Sequence, residues 1–412
     1  MGVLRLGNAT FSATGLPHGT ALPLFVDYYD VGGGGASPSP FRSVPLELPH
    51  GSPRRRWCTL ARGTPALDAE GLPSNSVNRR LALVPCYNVA PGVRGVIATR
   101  VVGNRSLGVV ADARSLAAIH RVPIGDGLSA SAGGATSGFR TVASRDGSAF
   151  YTASIAARDF GIRYFVPGDN TSVRISGELG QHPRNGFSQG GTNDIRSLAL
   201  ARSPTRLYAL SSPLDAGWDT VFSVCAFRDC NASLPVSAAR QVEPLLPPLA
   251  SAWAFVFEGV WSVWLSMEGA GGGAQLRKYE NSVHLSGQQA RRNHWVTAYT
   301  KEPSDWPTAR VLRSLAGRSE PDTRSAQRNA FKFVLYAADT TSVYRIDTLE
   351  PDRHTVVATA PPHTQFRGVV LPPRTAPTAT PSPMSTRSRL PTPPASRSVI
   401  ASKSRSSKAR PR

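Results

Sequence analysis

The sequence predicts an all-β fold built from one repeated unit, on three observations. A short phrase, Arg then a small or polar residue, then Leu or Val, then Ala or Val, recurs about every 56 residues. Two strand-like runs separated by turn formers come after each phased copy. The two ends of the chain carry strands that complete each other, which removes exposed sheet edges.

In chain order, the N-terminal segment supplies Val3-Leu4-Arg5-Leu6, Leu22 to Tyr28 and Phe41 to Leu48, strands with no phrase before them. The phrase then stands at Arg79-Arg80-Leu81-Ala82, Arg140-Thr141-Val142-Ala143, Arg196-Ser197-Leu198-Ala199, Arg313-Ser314-Leu315-Ala316 and Arg367-Gly368-Val369-Val370. The gap between the third and fourth copies is about twice the others, and Ala252-Trp253-Ala254-Phe255-Val256-Phe257 falls where the missing copy belongs. Arg114-Ser115-Leu116-Ala117 matches the phrase out of phase, so the inference rests on the strand-like runs downstream of each phased copy. First comes a β-branched or aromatic run, as in Ala149 to Thr152, Leu207 to Leu210 and Val263 to Leu265; beyond a turn comes a second, as in Gly161 to Val166, Thr220 to Val224 and Gln275 to Tyr279. Ser319 to Arg328 is a polar insertion that reads as a surface loop, after which strands resume at Phe331 to Tyr336 and Ser342 to Ile346.

Units of this length with three or four strands fit a β-propeller blade, because no window sustains the 3.6-residue apolar period of paired helices. Inner strands near a propeller axis are crowded, and the Ala, Gly, Ser and Thr of the phrase suit that place. The last copy, Phe366 to Leu371, is a lone strand before Pro372 and Pro373, so it joins three N-terminal strands to complete a blade. The expectation is a single propeller of six blades over residues 1–371, or seven if Leu107 to Val122 forms a unit of its own. Such a ring grows by addition and predicts a monomer.

Residues 372–412 differ in kind. They are Pro, Ser, Thr, Ala and Arg with nine Lys or Arg and no acidic or aromatic residue. They hold too little apolar surface to offset ordering entropy, so a disordered basic tail is expected. The tail supplies nine of the twenty net positive charges. The remaining excess is mostly Arg with little Lys, which reads as coding bias rather than nucleic-acid binding, and Arg54-Arg55-Arg56 reads as a solvated loop.

Four cysteines make neither a disulfide framework nor a metal site. Cys225 and Cys230, with four residues between them across a turn, are spaced to close a small loop; Cys58 and Cys86 lie in neighbouring segments and either pair or stay free. No cofactor or metal motif is present: the glycine runs at 32–35 and 269–273 lack the Lys-Ser/Thr of a phosphate loop, and paired carboxylates and HExxH are missing. Gly186-Phe187-Ser188-Gln189-Gly190 matches a nucleophile elbow but sits in a Gly- and Asn-rich loop without the helix that such an elbow needs. Sequons for N-glycosylation occur at Asn8, Asn104, Asn170 and Asn231; about two or three would arise by chance in a chain this rich in Ser and Thr, so the four lend slight support to secretion. No stretch approaches the roughly eighteen apolar residues of a membrane span, and no signal-peptide pattern stands at the start. A sequence lacking its first residues would read the same way, so the compartment stays open.

The phrases Phe25-Val26-Asp27-Tyr28-Tyr29-Asp30 before Val44 to Pro49, then Gly138 to Gly147, and the ending Val357 to Ala360 with Phe366 to Pro372, together resemble an uncharacterised family of propeller-like repeat domains from large secreted or surface proteins of microbes and algae. The resemblance covers most of residues 1–373. It implies the propeller fold and an extracellular or cell-surface setting, and brings no ligand, reaction or catalytic residue.

The leading expectation is a noncatalytic binding or scaffold module, since propellers present loops on two faces and no catalytic constellation assembles here. Partners in that reading are anionic glycans or other proteins. A basic wall or matrix protein with a sugar-modified tail is compatible with it. The rival is a hydrolase or dehydrogenase working in the central channel, which needs His, Asp or Glu from several inner strands. Arg79, Arg140, Arg196, Arg313 and Arg367 share one position of the unit and form a candidate anion-binding ring. The plainer alternative is that each pairs with an acid such as Asp146 or Asp339 and ties blades together.

Overall fold

The computed structural model describes residues 1–31, 39–48, 56–62, 70–96, 104–111, 115–125, 139–154, 162–174, 193–200, 207–213, 220–223, 243–244, 249, 251–259, 261–268, 273–281, 295–301, 311–322, 325 and 330–373. Cys225, Cys230, Asn231, the 186–190 motif and the basic tail beyond residue 373 lie outside them. Residues 1–375 form one compact unit. The chain is all-β: strands β1 to β26 pair antiparallel, except for the short parallel pair β13–β9. No helix among the described residues is long and apolar enough to cross a membrane.

The first sheet takes β1 (Gly2–Leu6), β2 (Ala21–Tyr28), β3 (Arg42–Pro45), β4 (Thr59–Ala61), β5 (Ser74–Asn75), β6 (Ala82–Tyr87), β7 (Arg105–Val110) and β8 (Leu116–Arg121). The second holds β9 (Ile124–Gly125), β10 (Phe139–Ala143), β11 (Phe150–Ser154), β12 (Ile162–Phe165) and β13 (Thr171–Arg174). The third is β14 (Asn193–Leu200), β15 (Leu207–Pro213), β16 (Thr220–Ser223) and β17 (Glu243–Pro244). The fourth is β18 (Ala252–Phe257), β19 (Ser262–Glu268), β20 (Ala274–Asn281) and β21 (Trp295–Lys301); the fifth is β22 (Ser314–Pro321), β23 (Phe331–Ala338), β24 (Ser342–Asp347) and β25 (His354–Thr359). The last strand, β26 (Gln365–Val370), pairs antiparallel with β1, so the C-terminal strand does join the N-terminal ones.

The described strands therefore form five sheets where six separate units were expected, because two units merge in the first. The junction is a short edge. Thr59 faces Tyr87 across β4 and β6, the Thr59 hydroxyl donates to the Tyr87 carbonyl at 3.2 Å, and the Cys58–Cys86 disulfide joins the same two segments. Leu107 to Val122 supplies β7 and β8 of this sheet and is not a unit of its own.

Successive residues of a strand pack on different neighbouring sheets, so β6, β7 and β10 are buried at every position. Phe139, Val142 and Phe150 of the second sheet join the large cluster of the first around Leu22, Leu83 and Leu107. Ala143 and Ile162 meet Leu198 and Leu207; Leu210 and Val221 meet Phe255 and Val263; Trp264 and Leu276 meet Leu335 and Tyr344. Val334 and Tyr336 of the fifth sheet pack back on Val3, Phe366 and Val369 of the first.

Candidate functional site

The first strand of a sheet, together with the segment 72–77, lines a cavity of about 730 Å³. Its wall takes Ser74, Ser76 and Thr141, then Ser197 to Leu200, Ala254 to Phe257, Ser314 to Gly317, and Val369. The crowding expected of inner strands is visible at Gly368, where a Cβ would stand 2.6 Å from Pro73 Cδ and 2.8 Å from Ser314 Oγ. A side chain there would push β26 away from Pro73 and from β22, which accounts for glycine in that copy of the phrase.

The regular spacing of the phrase has a local cause. In β10 the register skips between Phe139 and Thr141, in β14 between Ile195 and Ser197, in β18 between Ala252 and Ala254, and in the β26–β1 pair Gly368 faces Leu4 while Phe366 faces Arg5. Arg140, Arg196, Trp253 and Arg367 are thus each the extra residue of a β-bulge, the device that re-aims one side chain while the ladder continues. Arg313 precedes Ser314 and shares its partner, since its N–H donates to the Ala338 carbonyl at 2.8 Å. The structure therefore gathers four of the five predicted arginines at one position and supplies Trp253 as the copy that the sequence lacks.

Arg79 does not share that position. It stands in the turn between β5 and β6 at φ 56°, and its Nη2 donates to the Gly317 carbonyl of β22 at 3.1 Å. The place beside Arg140 and Arg367 belongs instead to Glu70, whose neighbours Gly71 and Leu72 donate N–H bonds to Phe139 and Arg140 carbonyls. The phrase misled because 79–82 fits it in letters, whereas the segment bridged to β10 at Leu72 and Thr141 contains Pro73 and fits no copy.

Glu70 is 4% exposed. Burial pushes its carboxyl up to about 7, against the pull of Arg140, Arg367 and a hydrogen bond from Tyr87. The Tyr87 hydroxyl donates to Glu70 Oε2 at 3.3 Å and accepts from the Phe139 N–H at 2.8 Å. In the fourth sheet, Trp253 lies under two guanidinium groups, with Arg196 Cζ 4.7 Å and Arg313 Cζ 5.7 Å from its centroid. Arg196 Nη1 also donates to the Ala252 carbonyl at 2.7 Å. The acids named from the sequence do other work: Asp146 accepts from Ser148, and Asp339 accepts from Thr341, Ser342 and Tyr344.

Arg140 and Arg367 are buried and do not line the cavity; nor does Arg196. Among the described residues the two arginines that line it are Arg79 and Arg313, and the lining carboxylate is Glu258. Glu258 accepts from Trp264 Nε1 at 2.9 Å and pairs at 3.1 Å with Lys278, which also pairs with Glu280 at 2.7 Å. The aromatic side chains of Phe257 and Trp261 share the wall, and Trp261 is 45% exposed. Among the described residues no group of three His, Cys, Asp or Glu is arranged to hold a metal ion.

Of the predicted sequons, Asn104 and Asn170 are exposed, while Asn8 is half-buried.

No protein-family model matches the chain, and no curated protein matches its sequence. Among solved structures it is similar to a Bacteroides uniformis protein assigned as a 6-phosphogluconolactonase, at 11% identity and a TM-score of 0.36, over 89% of this chain and 99% of that one. It is also similar to the dihydro-heme d1 dehydrogenase NirN, at 12% identity and a TM-score of 0.30, over 88% of this chain and 67% of that one. Prolyl oligopeptidase B from Galerina marginata aligns at 9% identity and a TM-score of 0.31, over 78% of this chain and 38% of that one. Likenesses this distant carry no argument about activity, and the chain stands as an all-β protein of mainly antiparallel sheets arranged about a cavity.

Proposed function

We propose that the chain is a six-bladed β-propeller of the repeat family its phrases resemble, and that it acts as a noncatalytic binding module for a carboxylated or sulfated glycan held in the central cavity. The merged first sheet counts as two blades in this reading, with β26 closing the ring. The observation that carries the ligand class is the charge of the wall. Arg79 and Arg313 line the cavity together with one carboxylate among the described residues, Glu258, which shares Lys278 with Glu280. Arginine on a cavity wall suits an anion, because guanidinium groups match carboxylate and sulfate in geometry. The hydroxyl-bearing inner strands and the exposed face of Trp261 suit a sugar ring, which is polar at its edge and apolar on its face.

The experiment is retention on immobilised polygalacturonate at fixed low salt. Arg79→Gln should weaken retention of the folded protein about tenfold, the loss of one charge-assisted contact, with the melting temperature lowered only by the lost bond to the Gly317 carbonyl. Arg140→Gln, in the buried ring, should lower stability and leave retention of the folded fraction unchanged. Equal retention by the wild type and Arg79→Gln would remove the support for an anion site in the cavity.

A further inference from the structure

We propose that this protein matures in an oxidising compartment that also carries out N-glycosylation, with Cys58 and Cys86 joined and glycans on Asn104 and Asn170. Two independent features carry the inference.

The first is the disulfide. Cys58 and Cys86 are 1% and 0% exposed, with Cα atoms 5.1 Å apart, at the seam where β4 meets β6. The surroundings are cut to the linked pair: a Cβ on Gly108 of the neighbouring β7 would meet Cys58 Sγ at 3.0 Å. Joining the two thiols releases two protons and two electrons, which pass to the disulfide of a thiol oxidoreductase and leave it as a dithiol. A reducing compartment drives that exchange backwards, so a buried structural bridge at a sheet junction marks an oxidising one.

The second is the sorting of the sequons by the fold. Asn104 stands exposed at the entry to β7, and Asn170 stands exposed in the turn between β12 and β13. Neither lines the cavity, so a glycan on either leaves the proposed binding site open. Asn8 is different: it is half-buried, and its Oδ1 accepts the Thr10 and Phe11 N–H groups at 3.0 and 2.8 Å, which folds its side chain back over its own turn. In the modification, the asparagine Nδ2 attacks the anomeric carbon of a lipid-pyrophosphate-linked oligosaccharide. A carbon–nitrogen bond forms, the carbon–oxygen bond to the pyrophosphate breaks, and the amide loses one proton.

The test uses the full chain isolated from its source, with thiols alkylated during lysis. Peptide N-glycosidase in heavy-oxygen water then converts each formerly glycosylated Asn into a labelled Asp that peptide mass spectrometry reads. The expected result is a linked, unalkylated Cys58–Cys86 peptide pair, label at Asn104 and Asn170, and none at Asn8. Alkylated Cys58 and Cys86, or unlabelled Asn104 and Asn170 together, would overturn the proposal. Label at only one of the two would overturn the assignment of the other, and label at Asn8 would overturn the sorting.

Discussion

Trp253 sits 4.7 Å beneath the guanidinium carbon of Arg196 and occupies the one copy of the repeated position where tryptophan replaces arginine. Arg313, from the next sheet, lies 5.7 Å from the same ring. A tryptophan face attracts cations, at about 0.5 to 2 kcal/mol each depending on desolvation. One side chain thus ties three sheets and relieves the repulsion between two arginines.

Restoring the repeat at this position should therefore harm the protein. Trp253→Ala should cost about 2 to 4 kcal/mol from lost packing and two lost cation contacts. Trp253→Arg should cost more, because it sets a third cation beside two others. Urea unfolding of both variants checks this, and an arginine variant as stable as wild type would refute the role given to the ring.

Glu70 predicts an unusual dependence on pH. Burial first, only partly offset by Arg140 and Arg367, raises its carboxyl from 4.5 to about 7. A group whose folded value lies above its unfolded one stabilises fully below the unfolded value and loses that contribution as pH rises through the folded one. The window is thus about pH 4.5 to 7, and the full contribution is about 3 kcal/mol. Glu70→Gln keeps an acceptor for Tyr87 and removes the titration. Its unfolding free energy relative to wild type should rise as pH increases across that window; parallel profiles would show that Glu70 does not titrate there.

The Cys58–Cys86 bridge closes a loop over a sequence separation of 28. Restricting the unfolded chain over that length is worth about 3 to 4 kcal/mol. Replacing both cysteines by Ser should lower the melting temperature of the whole transition in a single step, since the pair sits inside the largest apolar cluster. A separate early transition, with the remainder unchanged, would mean that the first sheet folds apart from the others.

Deleting residues 376–412 should leave the melting curve unchanged within error, because the compact unit ends at Thr375. Extending the deletion back to Gln365 should abolish the cooperative transition. It removes the β1 partner strand, Arg367 beside Glu70, and the paired bonds in which Asn75 Nδ2 donates to the Leu371 carbonyl at 2.9 Å and Asn75 Oδ1 accepts the Leu371 N–H at 2.7 Å. Equal melting of the two truncations would contradict the weight placed on β26.

Much of this was legible in the sequence because repeats announce themselves through period. The phased arginines marked the first strands of the second, third and fifth sheets, the pairing of the two chain ends could be read from their unmatched strands, and Ala252 to Phe257 was found by its phase alone. Glu70 was not legible. Its segment carries Pro73 and none of the repeated letters, and a decoy at Arg79 stood nearby with the right ones. The direction of the arginines was also hidden, since it depends on bulges, and a bulge is a one-residue offset between partners that no single strand encodes. Period shows where a residue recurs, but only register shows which way it points.

The reading of the cavity as a ligand site is tested most directly by hydrogen exchange of the full chain with and without saturating trigalacturonate. Residues 72–77, 141–144, 254–259 and 313–317 are remote from one another in sequence and line one cavity. The prediction is simultaneous slowing of exchange in all four segments, with Arg79→Gln needing about tenfold more ligand to reach the same slowing in all four. Slowing confined to one segment, or to none of them, would contradict a ligand held in the cavity.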